Sequence, residues 1–235
     1  MKASRIALII AIAAAALLLV AGPGTRLGLW DYGLGLTLLR YAVYAGLAAS
    51  ALALLLIVIP KTRRGQVAVL VAALAIGLGV TWVPWSQRQT ARSLPFIHDI
   101  TTDTVNPPLF VDVVPLRADA RNPVEYLGEE IAAQQREGYP DLAPVELTES
   151  PGETFENALR VSRDMGWEIV AEAPGEGRIE ATDTTFWFGF KDDVVIRIAE
   201  SGTGSRLDIR SKSRVGQSDV GANAARIREF IDRLT

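Results

Sequence analysis

The sequence predicts an α+β domain carried on three transmembrane helices, and three observations lead there. Long uncharged apolar stretches fill the first third of the chain. Alternating apolar and polar residues mark four strands further on, with turn residues between them. Capping residues place one helix before those strands and another after them.

The apolar stretches come first in the chain. Ile6–Thr25, Tyr41–Ile59 and Val67–Trp85 hold 20, 19 and 19 residues without a charge, enough to cross a hydrocarbon core of about 30 Å as helices. They define an anchor over residues 1–86. Its orientation follows from the basic residues. Lys2 and Arg5 precede the first span, and Lys61, Arg63 and Arg64 join the second to the third. Both segments are expected in the cytoplasm. Trp30 and Tyr32, then Trp82 and Trp85, suit the outer interface. A domain over residues 95–235 then lies outside the cytoplasm, as expected for a bacterial inner-membrane protein with a periplasmic domain. Val20-Ala21-Gly22 also resembles a signal-peptide end. Removal of the first span leaves the orientation unchanged.

Separating the two parts changes the charge picture. The first 85 residues take seven of the 24 basic residues and one of the 27 acidic ones. That leaves 17 against 26, a charge of about −9 on the remainder. Such a field repels nucleic acid, which is not an expected partner. There is no cysteine and one histidine, which removes thiol chemistry, disulfides and histidine-rich metal sites. No cofactor or metal is expected.

Gln87–Pro95 reads as a tether and Ile97–Pro115 as extended, with Pro107-Pro108 forbidding a helix. Residues 123–137 read as a polar helix. Ser150-Pro-Gly-Glu153 reads as a helix start, with Ser150 as N-cap, and Gly166 as its end. Four strands follow at Trp167–Ala173, Arg178–Thr185, Val194–Glu200 and Arg206–Val215. Ile169, Ile179, Ile196, Ile198, Leu207 and Ile209 share one face. Ser218 is the expected cap of the last helix. The result is a four-stranded antiparallel sheet whose apolar face is covered by helices.

Four clusters carry candidate chemistry. His98 with Asp99 and Asp103 offers a base beside carboxylates, although these residues also suit bonds that pin an irregular segment. Arg197, Arg206, Asp208, Arg210, Lys212 and Arg214 alternate along the sheet's other face, with Glu168, Glu172 and Glu180 across from them. They are expected to pair on a solvated surface, with an anionic ligand as the functional alternative. The run Ser211–Asn223 leads from a strand into a helix N-terminus, with Arg214, Ser218, Asp219 and Asn223 as candidate ligand groups. A pairing of Arg214 with Asp219 is the internal alternative. Finally, Asp183, the aromatics Phe186, Trp187 and Phe188, and Lys191 with Asp192 form a hairpin tip. The rings are expected to close one end of the core, to line an apolar pocket or to reach the membrane interface. No serine elbow, phosphate loop or dinucleotide fingerprint is present.

Four strings together resemble one family, the domain of unknown function 1499. They are His98-Asp-Ile-Thr-Thr-Asp103 with Pro107-Pro108, Ala133-Gln-Gln-Arg136 with Tyr139-Pro-Asp141, Phe188-Gly-Phe-Lys-Asp-Asp193 through Arg197, and Arg210 through Asn223. The resemblance spans nearly all of the second part and implies a membrane-associated bacterial domain without a known activity. Because these strings are rich in Arg, Asp and Asn but lack an activated nucleophile, the expected function is an anchored binding or assembly module for an anionic small molecule, a lipid or an envelope protein. Asp183, Lys191, Asp192, Arg210, Arg214, Ser218, Asp219 and Asn223 would form its site. The alternatives are a hydrolase or transferase using His98 with Asp99 or Asp103, and a structural envelope scaffold.

Overall fold

A computed structural model describes residues 3–235. Lys2, which enters the charge argument, lies outside them. The chain divides into two compact units: residues 1–90 with Phe186–Gly189, and residues 91–185 with 190–235.

In the first unit three helices are long and apolar enough to cross a membrane: α1 (Ala3–Arg26), α2 (Tyr32–Val58) and α4 (Val67–Arg92), with the short α3 (Pro60–Arg63) between the last two. Helix α2 starts nine residues before the uncharged stretch, because the Asp31 carboxylate accepts from the amides of Gly33 and Leu34 and caps it. Helix α4 runs seven residues past Trp85, so most of the expected tether is helical. Ser86 to Leu94 contains neither Gly nor Pro to stop it. The helices meet through small residues: Ala7, Ala11 and Ala14 of α1, Ala49 and Ala53 of α2, Ala73 of α4. A Cβ on Gly46 would stand 2.9 Å from the Gly77 carbonyl oxygen, and one on Gly77 would stand 2.5 Å from that of Gly46. Close backbone approach is how helices associate where lipid removes the hydrophobic drive. Phe186–Gly189 belongs to this unit, with the Arg26 guanidinium donating to the Phe186 carbonyl at 2.9 Å. The three aromatics thus do not close the core of the second unit, and Phe186 is exposed.

The second unit holds an antiparallel sheet of six strands, not four. Its order is β1 (Asp99–Thr101), β6 (Gly204–Ser213), β5 (Lys191–Ser201), β4 (Arg178–Thr184), β3 (Glu168–Ala173), with β2 (Val145–Leu147) also on the outer edge of β6. Strands β1 and β2 have three residues each, too short to show alternation. Between them Thr102 completes the edge, exchanging bonds of 2.9 Å with both backbone groups of Ile209. Helix α5 (Glu129–Gly138) starts later than expected, behind Gly128 at φ 82°. Its Gln135 side chain pairs with the Thr101 amide and carbonyl at 3.0 and 2.6 Å, extending the β1 edge.

Helices α6 (Pro151–Asp164) and α7 (Ala222–Leu234) cover one face. Phe155 and Leu159 of α6 and Ala224, Ile227 and Phe230 of α7 pack on Ile179, Val194, Ile196, Ile198, Leu207 and Ile209. Trp167 stacks on Phe230 with centroids 5.5 Å apart. The cap of α6 is as expected: Ser150 accepts from the Glu153 amide, and the Glu153 carboxylate accepts from the Ser150 amide. Ser150→Ala is expected to lower stability by about 1 kcal/mol, readable as a shifted urea midpoint. No shift would remove the cap from the account. Helix α7 starts at Ala222 with Gly221 as N-cap, so Ser218 is not its cap. The Asp219 carboxylate instead binds the amides of Gly221 and Asn223 at 2.9 and 2.7 Å.

Candidate functional site

The sheet's second face carries the alternating charges, and it is not the solvated surface expected. Residues 103–128, irregular apart from a 3-10 turn at Val114–Arg117, lie across it. Phe110 and Val113 pack there on Val195. Arg210 and Lys212 are 1% and 0% exposed, and Asp193 and Glu180 are fully buried.

Two carboxylates organise this interior. Asp99 takes Arg210 in two bonds of 2.8 Å and Lys212 at 2.9 Å. Asp193 takes Arg214 at 2.7 and 2.9 Å, Arg117 beside it, and the Thr182 hydroxyl at 2.7 Å. Four cations thus share two carboxylates. Further donors meet backbone carbonyls of the covering segment: Arg210 reaches Pro108 and Val124, Lys212 reaches Glu125, Arg117 reaches Asn122, and Arg214 reaches Leu116, while Arg117 Nε is buried without a partner. In return the Glu180 carboxylate accepts from the Val111 and Val113 amides at 2.8 and 2.9 Å. Six backbone groups of the segment are thus satisfied by side chains of the sheet, which take the place of regular structure there. The Arg210 guanidinium also lies 4.8 Å from the Phe110 ring centre and 5.4 Å from that of Tyr126. Burial lowers the Lys212 pKa against the pull of Asp99, and burial raises the Tyr126 pKa to about 12.

A third knot sits where the sheet meets α7. Arg226 reaches Asp183 at 2.8 Å, Asp192 at 2.6 Å, Ser211 at 2.9 Å and Asn223 at 2.6 Å. Burial works to lower its pKa, but Asp192 and Asp183 together raise it. Asn223 passes the network on to the His98 carbonyl at 3.1 Å. Next to it the β6–α7 loop is strained. Val220, a β-branched residue, has φ 54°, between Gly216 at 93° and Gly221 at 82°. Asp219 is half-buried in this loop, and burial raises its pKa.

Each candidate residue now has a place. Asp99, Arg210 and Arg214 belong to the buried ion pairs. Asp103 accepts from Arg197 and Arg206 at 3.1 and 2.8 Å and pins the turn at Val105 and Asn106. Arg214 pairs with Asp193, not with Asp219. Asp183, Asp192 and Asn223 surround Arg226, while Lys191 is exposed and Ser218 is half-buried. His98 has Nδ1 3.3 Å from the Gln217 carbonyl, and its Nε2 is buried without a partner. The strings that begin at His98, Phe188 and Arg210 contribute residues to packed ion pairs, whereas Ala133–Arg136 contributes Gln135 to the β1 edge and Asp141 pairs with Arg228 at the surface. A 370 Å³ cleft lined by Phe155 and Glu176 and a 410 Å³ cleft lined by Ser93 and Gln134 contain none of the candidate residues. Arg117 and Arg226 escape the sequence reading as members of the network, and Gln135 enters it only as part of the string Ala133–Arg136. Of the two that escape, Arg226 carries a signal, standing one turn after Asn223 on the buried stripe of α7.

Three apolar helices followed by an α+β domain with an ionic interior define the class. The chain belongs to a family described as proteins of unknown function (DUF1499), whose model matches residues 99–234. No curated protein matches it.

Proposed function

We propose that the chain is a bacterial inner-membrane protein whose second unit is an extracytoplasmic binding or assembly module, contacting an anionic or envelope partner through the β6–α7 loop and its neighbours. One observation carries the reading: the charges of the sheet are used internally, while the loop around Gln217 stays exposed in a strained conformation. Strain of this kind, about 1–3 kcal/mol per residue, is retained where a segment serves a clamp or contact. Lys191 and Asp183 flank the loop at the same end of the sheet. Lys2 and Arg5 before the first apolar stretch, and Lys61, Arg63 and Arg64 between α2 and α4, support a cytoplasmic N-terminus. A hydrolase reading has less support, because Nδ1 of His98 faces a carbonyl and its Nε2 is buried.

A photo-crosslinking residue at Gln217 or Lys191 in living cells is expected to capture a defined partner. The same residue at Glu200, at the opposite end of β5, is expected to capture none. Equal capture at all three positions, or none at any, overturns the assignment.

A further inference from the structure

His98 is the one histidine in the chain. A carbonyl only accepts, so the contact of Nδ1 with the Gln217 oxygen, 3.3 Å away, places the proton on Nδ1 and leaves a lone pair on Nε2. That Nε2 is buried and meets no partner. The histidine backbone is held separately, its carbonyl accepting from the Ser213 amide at 3.0 Å and from the Asn223 side chain at 3.1 Å. The ring can therefore leave while the strand stays. The loop that it holds is strained at Val220, which favours departure.

We infer that His98 is a proton-operated latch: together with the Asn122 side chain on the Gly216 carbonyl and the Asp219 amide on the Ile97 carbonyl, the neutral ring holds the loop of residues 215–221 on the end of the sheet, and protonation at Nε2, completed as the ring turns out to solvent, loosens it. Protonation creates a buried N–H without an acceptor, a cost that ends when the ring turns outward and gives up the Gln217 carbonyl. The charged groups around the ring are Lys212 of β6, Asp99 next to it in the chain at the start of β1, and Asp219 of the loop. Asp99 is engaged by Arg210 and Lys212, and Asp219 by two amides. From α7 the contact is the neutral Asn223.

Burial holds the His98 pKa below its ordinary 6.5. A depressed histidine pKa gives the closed state a stability that is present above 6.5 and lost as pH falls through the folded value. Asp219 works the other way. Its pKa is raised, so protonating it favours the closed form, and loosening on acidification does not come from that carboxylate. The latch would regulate the contact surface proposed above, yet it is read without any partner.

The test is hydrogen exchange of full-length protein in lipid nanodiscs at pH 7.5 and 5.5, corrected for intrinsic rates. Peptides covering residues 214–224 are expected to exchange faster at pH 5.5, on the order of tenfold. His98→Gln should abolish that difference, and Asp219→Asn should keep it. A loop insensitive to pH in the native chain, or a pH response that persists in His98→Gln, overturns the latch. Should His98→Gln fail to fold, the native chain decides alone. Histidine-selective labelling of protein without a histidine tag gives a single ring resonance. Its midpoint should lie below 6.5 and coincide with loop opening; a midpoint at or above 6.5 overturns the proposal.

Discussion

Asp99→Ala is expected to destabilise the second unit by about 3–5 kcal/mol, the loss typical of breaking a buried ion pair by removing one partner. The size follows from what is left behind. Arg210 and Lys212 are almost wholly buried and both converge on this carboxylate. Without it, two cations are left with neutral company, the Pro108, Val124 and Glu125 carbonyls and, for Arg210, the Phe110 and Tyr126 rings. Because the excess charge is the problem, removing a cation as well should help. Asp99→Ala with Lys212→Met is expected to be less destabilised than the single change, a coupling that a double-mutant cycle measures. Pulse proteolysis of the full chain in urea reads both. A single-variant loss below about 1 kcal/mol, the scale of a surface pair, would mean that water reaches Asp99 and that the ionic interior is misread.

The same geometry explains which parts of the fold were legible beforehand. The α6 cap, the apolar face and strands β3 to β6 are written in local patterns: Ser150 and Glu153 three residues apart, and isoleucines at every second position. The burial of the charged face is not a local property. Alternation of Arg, Asp and Lys reads identically whether water or another segment lies above it, and here the covering segment comes from residues 103–128, about 85 or more positions earlier in the chain than its Arg210 and Lys212 partners. Nothing in Arg117 or Asn122 announces that they will close over β6. Strands β1 and β2 escape for a different reason, since three residues cannot display a period of two. The start of α7 was displaced because Ser218 and Asp219 both suit a cap, and the carboxylate reaches the amides. As for the site, three of the four strings point to the residues that meet. They do not distinguish ligand contacts from internal pairing, because the same planar fork serves a bound anion and a neighbouring aspartate alike.

Arg226→Met is expected to be of similar consequence, about 3–5 kcal/mol. The guanidinium is the only described link joining Asp183 of β4 and Asp192 of β5 to α7 through ion pairs. Methionine keeps much of the side chain's volume, so the loss reports charge and hydrogen bonding more than a cavity. Asp192 would suffer most, being 3% exposed, whereas Asp183 retains contact with water. That asymmetry gives the discriminating experiment. Asp192→Asn added to Arg226→Met should recover a substantial part of the stability, because it removes the stranded buried charge, while Asp183→Asn should recover little. Equal recovery from both would place the two carboxylates in equivalent surroundings and contradict the arrangement. The network also runs through Asn223 to the His98 carbonyl, so the Arg226 variant tests a second link. If the knot holds the end of the sheet against α7, its loss should loosen residues 214–224 at pH 7.5, a pH at which the neutral His98 ring still contributes its contact. Unchanged exchange there would show the loop to be held by His98, Asn122 and Asp219 without help from the Arg226 knot.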